Sequence, residues 1–272
     1  MPRPILTLTT DFGTLDPYVA QMKGVLVSLV PDAHIVDLSH EIPFGDVRAG
    51  ALFLEAAVPR FPTATVHVAV IDPGVGGRRR PLAVATERGV LVGPDNGLFS
   101  AFLGHAATRA VVLDAREHWG DSVSHTFHGR DVFAPVAARL ASGLDLTAVG
   151  SPCAAPIRLT WPAPHARDGA VEGEIIHVDH FGNLVSNIPA TLLGDAVRRE
   201  GAIVATYLDR HVPGPFPSYD SVPVGQALWV VGSSGRVELS VNQGRADRVL
   251  GGGVGSPLSL RAHPTETGAD VR

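Results

Sequence analysis

The chain changes character once, near residue 151, and that change restricts its fold more than any other feature. Before it, β-rich runs at residues 5–9, 34–38, 65–71, 82–86, 90–92 and 109–113 alternate with helical patterns. Asp16 is placed to cap the first helix, with Pro17 at its first position. Val19, Met22, Leu26, Leu29 and Val30 fall on one face of it. A second helix begins at Asp46 and buries Val47, Ala51, Leu54 and Val58, and a third, over 131–140, packs through Phe133, Val136, Ala137 and Leu140. Strands interleaved with helices predict an α/β domain over residues 1–150, on a mostly parallel sheet covered on both faces. Residues 151–168 contain Pro152, Pro156, Pro162 and Pro164 and read as a linker. From there to residue 262 only short strand patterns recur, at 172–179, 184–187, 202–207, 228–231, 237–240 and 258–261, which predicts an all-β barrel or sandwich. The polar residues 263–272 read as a disordered tail.

Composition narrows the class of protein. With 272 residues, 45% of them hydrophobic, the chain is long enough for one or two ordinary cores. A net charge of −5, with Arg78–Arg80 as its one basic run, argues against a nucleic-acid binder. The single cysteine, Cys153, excludes an internal disulfide and suits a reducing compartment. Neither a signal-peptide pattern nor a membrane-length apolar run is present, so a soluble cytoplasmic protein is expected.

Twelve histidines invite a metal reading. His125 and His128 are three apart, as are His177 and His180, but the second pair lies in a strand pattern that sends its rings to opposite faces. Without a cysteine pair or a His-Glu-x-x-His motif, no metal site is expected. The glycines at 74–77 lack the Gly-Lys-Ser/Thr of a phosphate loop, and no Gly-x-Ser-x-Gly elbow occurs.

Five polar clusters fall at strand ends or turns: residues 9–13, 72–80, 126–131, 179–183 and 233–235. In the second, Asp72 ends a strand, glycines follow that let backbone approach a ligand, and Arg78–Arg80 come next. Carboxyl ends of strands are where open α/β sheets bind ligands. The same residues also suit a plain turn with solvated arginines. His128 likewise reads either as a reacting group or as a helix-flanking histidine held by Asp131. Clusters divided between two unlike halves suggest a ligand held between domains.

In their order, these clusters resemble the S-adenosylmethionine (SAM) hydroxide adenosyltransferase family, the SAM hydrolases related to fluorinases and chlorinases. The matching segments are Thr-Thr-Asp-Phe-Gly-Thr-x-Asp-x-Tyr-Val-Ala-x-Met-Lys-Gly at 9–24, Ile-Asp-Pro-Gly-Val-Gly at 71–76 and Gly-Pro-Asp-Asn-Gly at 93–97. Thr-Phe-His-Gly-Arg-Asp at 126–131, Phe-Gly-Asn-Leu-Val-Ser-Asn-Ile at 181–188 and Ser-Ser-Gly followed by Asn242 complete the set. The resemblance implies a Rossmann-like domain, a C-terminal β-barrel and a homotrimer with active sites at subunit interfaces. It implies attack of water on the ribose C5′ of SAM, giving adenosine and methionine without cofactor. The family's Asp-Arg-His set maps onto Asp72, Arg79 and His128, the arginine lying seven residues after the aspartate. Asp11 matches the acid that holds the ribose hydroxyls, while Asp16 and Asp179 match groups near the methionine amino end. Phe181 and Asn183 match the pocket between domains, Asn242 its adenine side, and Phe44 joins the substrate-binding set. Ser233 and Ser234 match the methionine carboxylate site, where fluorinases carry an arginine at the second position.

The leaving group in such a reaction is a neutral thioether, so no acid is needed to protonate it. The difficulty is the nucleophile, since bulk water has a pKa near 15.7 and an ordinary Asp one of roughly 3.9. Asp72 can take a proton as the C–O bond forms, or orient the water. Arg79 stabilises developing hydroxide charge, and His128 fixes or relays the proton. Halide-dependent adenosyl transfer is the nearest rival, though a carboxylate such as Asp72 would repel a halide. A non-catalytic SAM or adenosine sensor is the other.

Overall fold

The computed structural model describes residues 3–104, 106–198 and 203–262, the side chains of 195–198 excepted. The chain divides into two compact units, Met1–Thr160 and Trp161–Arg272. The tail expected at 263–272 lies outside the described residues.

The first unit contains β1 (Ile5–Thr10), α1 (Tyr18–Leu29), β2 (His34–Ser39), α2 (Val47–Ala57), β3 (Val66–Val70), β4 (Pro81–Thr86), β5 (Gly89–Pro94), β6 (Arg109–Val112), α3 (Ala134–Ala141) and β7 (Ser151–Pro152). Its sheet runs β2-β1-β3-β5-β4-β6-β7. The expected mostly parallel sheet is a mixed one. Strands β2, β1, β3 and β5 pair parallel, whereas β4 pairs antiparallel with both β5 and β6, and β6 with β7. The reversal of β4 comes from the turn at Glu87-Arg88, where Arg88 N–H donates to Thr86 Oγ1. So short a connection makes a hairpin, because a parallel return needs a long crossover.

One face of this sheet packs against α1 and α3 through Leu6, Leu8, Met22, Leu26, Phe133 and Val136, and the other buries Leu54, Val58, Leu91 and Phe99. Asp46 caps α2 as expected, its Oδ1 accepting Ala49 N–H at 2.9 Å. Asp16 does not cap α1. The cap residue is Pro17, with no side-chain bond, and Asp16 is exposed. Leu29 falls off the stripe of Val19, Met22, Leu26 and Val30 and is turned outward. The third helix begins earlier than expected, because a π-helical turn over Gly129–Phe133 runs into α3. Across β1 and β3, Thr7 stands opposite His67 and its Oγ1 lies 2.8 Å from His67 Nδ1. Both residues are fully buried, and burial pushes the His67 imidazole down to about 4.

Residues beyond β7 stay with this unit: Ala155 O accepts from Arg80 Nη2, Ile157 N–H donates to Asp95 Oδ1, and Leu159 N–H donates to Ser100 Oγ.

The second unit contains β8 (His165–Arg167), β9 (Ala170–Val178), β10 (Leu184–Pro189), β11 (Ile203–Tyr207), β12 (Arg210–Gly214), β13 (Ala227–Val231), β14 (Arg236–Val241), a short α4 (Ala246–Val249) and β15 (Pro257–Ala262). The strands pair antiparallel in the order β12-β11-β15-β9-β10-β14-β13, with β8 added on β9. Just past β12, Phe216 N–H donates to Trp229 O on β13, so the sheet nearly closes on itself, barrel-like. Trp229, Tyr207, Ile175, Leu184 and Leu239 fill its interior. Strand β12 escapes sequence reading because it is Arg-His-Val-Pro-Gly. An end strand tolerates Pro213, whose missing N–H no ladder needs. Among the described residues no helix is long and apolar enough to cross a membrane.

Candidate active site

The acid and arginine of the 72–80 loop meet. Ile71, fully buried, carries the chain out of β3, and Asn96 Nδ2 donates to its carbonyl at 2.8 Å. Two successive turns follow, with Val75 N–H donating to Asp72 O and Gly77 N–H to Gly74 O. They return Arg79 onto Asp72. Arg79 Nε donates to both carboxylate oxygens at 3.0 Å, and Nη2 to Oδ2 at 2.5 Å. The two side chains are only 9% and 3% exposed, so this is a buried charge pair and not a solvated turn.

The same Nη2 lies 2.7 Å from His128 Nδ1. A guanidinium only donates, so Nδ1 is the acceptor and the ring proton sits on Nε2. Burial, and then the Arg79 charge, lower the His128 pKa and favour this neutral form. Asp131 is not its partner. That carboxylate is taken by Arg130 Nε at 2.6 Å, Arg130 Nη2 at 3.0 Å and Ser124 N–H at 2.9 Å. The Phe133 ring completes the seat, with Arg79 Cζ 5.3 Å from its centroid. His128 precedes the π turn and Phe133 ends it, and such turns recur at functional sites.

Asp11 follows β1, the strand beside β3, so both acids sit at carboxyl ends of neighbouring parallel strands. Its Oδ2 accepts Gly45 N–H at 2.8 Å. Burial raises its pKa, and the Asp72 charge adds to the rise. Phe44, beside that glycine, is 92% exposed. The structure therefore gathers Asp11, Asp72, Arg79 and His128 at one strand-end face. It leaves Asp16 and Phe44 in solvent-facing loops of the same unit.

In the second unit a cleft of about 830 Å³ is lined by Asp179, Phe181, Asn183, Ser233 and Asn242, five residues singled out in the sequence. Asp179 receives Asn183 N–H on Oδ1 at 2.8 Å and Asn183 Nδ2 on Oδ2 at 2.9 Å. This bracket needs Gly182 between them, at φ +86°, where a Cβ would collide with Asp247. Asn242 Nδ2 donates to Val222 O at 2.6 Å, which leaves its Oδ1 as an acceptor. Ser234 is exposed and does not line the cleft. The cleft also holds Tyr219 and Glu238, which sequence reasoning missed. The available signal was the alternation in β14, which puts Glu238 and Ser240 on the face opposite Val237, Leu239 and Val241.

No group of three or more His, Cys, Asp or Glu is placed to hold a metal among the described residues. An α/β unit with an acid, a guanidinium and an imidazole joined at its strand ends, followed by a β unit with a polar, acidic cleft, defines a two-unit protein built to bind and process a polar small molecule. The chain belongs to the SAM hydroxide adenosyltransferase family: that family's N-terminal domain model matches residues 6–150 and its C-terminal domain model residues 173–259. An (R)-S-adenosyl-L-methionine hydrolase of Salinispora tropica is 42% identical, over 96% of this chain and 99% of that protein. One of the same name from Thermus thermophilus is 39% identical, over 95% and 99%. Fluorinases are more distant, at 28 to 29% identity. The crystal structure of an uncharacterized conserved protein from Thermotoga maritima superposes with a TM-score of 0.88 at 32% identity, covering 94% of this chain and 99% of that one.

Proposed function

We propose that this protein hydrolyses SAM to adenosine and L-methionine. The observation that carries the chemistry is the Arg79 guanidinium bonded at once to Asp72 and His128. Water attacks ribose C5′, the C5′–S bond breaks, and methionine leaves as a neutral thioether with the electron pair on sulfur. One proton of the water is released. His128 cannot accept it while Nδ1 receives Arg79, since its other nitrogen already carries hydrogen. Asp72 is then the acceptor, and His128 presents an N–H that orients the water. Arg79 balances the charge on oxygen as it grows.

In this reading Asp11 holds the ribose hydroxyls, with Asp16 and Phe44 contributing from the same unit. Asp179, Phe181, Asn183, Ser233, Ser234 and Asn242 serve the adenine and methionine ends. We read the first unit as Rossmann-like and the second as a barrel, with residues 1–150 and 169–262 as the domain cores and 151–168 as the connection, its first part packed on the one and β8 on the other. A homotrimer, in which one copy's second unit completes another's site, accounts for ligand residues divided between the units. The apolar side chains exposed beside the polar sets support it, notably Leu15 and Phe44 on one unit and Phe181 on the other. No metal, cofactor or nucleic acid is required, and a reducing cytoplasmic setting suits the lone Cys153.

The test is chromatography of products from purified protein and SAM, with and without EDTA and chloride. Adenosine and methionine in equal amounts are expected under all conditions. A chlorinated nucleoside as main product would make the protein a halide transferase, and tight binding without turnover a sensor. Light scattering on the active protein checks the trimer, which a fully active monomer would refute.

A further inference from the structure

The cleft of the second unit holds a carboxylate that neither the catalytic set nor the substrate-binding set includes. Glu238, on β14, is 7% exposed. Its Oε1 accepts the Tyr219 hydroxyl at 2.8 Å and the Ser240 hydroxyl at 3.2 Å. Its Oε2 accepts no hydrogen bond among the described residues, and Glu238 forms no ion pair among them. Oε2 faces Gly232, where a Cβ would overlap it, so the ground beside Ser233 is kept clear. The cation that lines this cleft, Arg245, is already engaged: Nε and Nη2 donate to Asp247 and Nη1 to His180 O.

A carboxylate this buried is costly to ionise without a cation. Burial and the Asp179 charge accordingly push the Glu238 carboxyl above the usual range. The Tyr219 phenol, pushed up to about 12, remains a donor. An anchor for two hydroxyls would need only a neutral acceptor, and a glutamine would serve. The charge is explained if a cation arrives with the ligand.

We propose that Glu238 Oε2 receives the α-ammonium of the substrate's methionine end, beside Asp179, and so selects ligands with a cationic amino-acid tail over bare nucleosides. The proposal rests on the hydrolase reading given above. It also fits the placing of Ser233, next to Gly232, at the carboxylate of the same tail.

Glu238→Gln tests it, because the amide oxygen still accepts from Tyr219 and Ser240 while the charge is lost. Calorimetry on the full chain would compare S-adenosylhomocysteine, which carries the α-ammonium and no sulfonium, with adenosine, which has no tail. S-adenosylhomocysteine should bind about 10- to 100-fold more weakly to the variant, and the KM for SAM should rise alike, as for loss of a charged hydrogen bond. Adenosine affinity should hold within about twofold. Unchanged S-adenosylhomocysteine binding, or equal losses for both ligands, would overturn the proposal, the latter marking Glu238 as a structural anchor. Should the variant fail to fold, wild-type protein still tests the proposal with S-adenosylhomocysteine lacking its α-amino group: weaker binding is required by it, and undiminished binding refutes the assignment. Wild type that binds these nucleosides yet releases no adenosine from SAM would instead refute the hydrolase reading alone.

Discussion

Gly76 and the carbonyl oxygen of His125 approach so closely that a Cβ on residue 76 would overlap that oxygen. Gly76 also sits at φ +73°. The loop carrying Asp72 and Arg79 thereby lies flat on the loop that leads to His128. Gly76→Ala should push the two loops apart and lengthen the Arg79–His128 contact. Misplacement by about 1 Å can cost 10²-fold in rate, so kcat should fall by about that factor. Adenosine affinity, which depends on Asp11, should persist, and wild-type kcat in this variant would show that the loops adjust freely.

Arg79→Ala should lower kcat about 10²- to 10³-fold with KM nearly constant, because the guanidinium acts on the nucleophile and not on the sulfonium. Asp72→Asn should lose turnover as well. Since Arg79 joins Asp72 to His128, adding His128→Ala to Asp72→Asn should cost far less than the product of the two losses. Fully multiplicative losses in steady-state kinetics would separate His128 from the set.

Asp11→Ala should weaken adenosine and SAM binding by similar factors, as expected for a contact present before and during reaction. Calorimetry giving unchanged adenosine affinity would remove Asp11 from the ribose site.

Acid should destabilise the fold through His67. Its imidazole falls from 6.5 in the unfolded chain to about 4 in the core. The unfolded state therefore binds the extra proton between these values, and stability decreases as pH falls from about 6.5 to about 4. The loss from this one group is on the order of 3 kcal/mol. Denaturant unfolding at a series of pH values measures it, and a flat profile across that window would contradict the burial of a neutral imidazole.

What was legible within one element followed from local chemistry, as where Asp46 announces the start of α2. The choice of Arg79 among three successive arginines came from the family resemblance, and its step of seven residues from Asp72 is a true contact. What was not legible came from partners distant in sequence or from irregular backbone. Asp131 is the natural neighbour for His128 on a regular helix, but the π turn and Arg130 take it elsewhere, and the real partner is 49 residues away. The reversal of β4 within the first sheet depends on a hairpin at Glu87-Arg88 that reads in sequence as an ordinary loop. Glu238 looks like a solvent-side residue of a strand until the fold encloses its face.

The buried bond between Thr7 and His67 has a reach beyond its own neighbourhood. It keys β1 to β3, and the ladder it sets ends with Thr10 opposite Val70. Asp11 is the next residue on one strand, and Asp72 lies two beyond Val70 on the other. Sliding either strand by a single residue would carry one acid about 3.3 Å past the other, as well as orphaning the imidazole. A hydroxyl and a ring hidden among aliphatic side chains thus act as an alignment key for two carboxylates near the strand tips, and their effect on the reaction is a matter of gauge, not of contact.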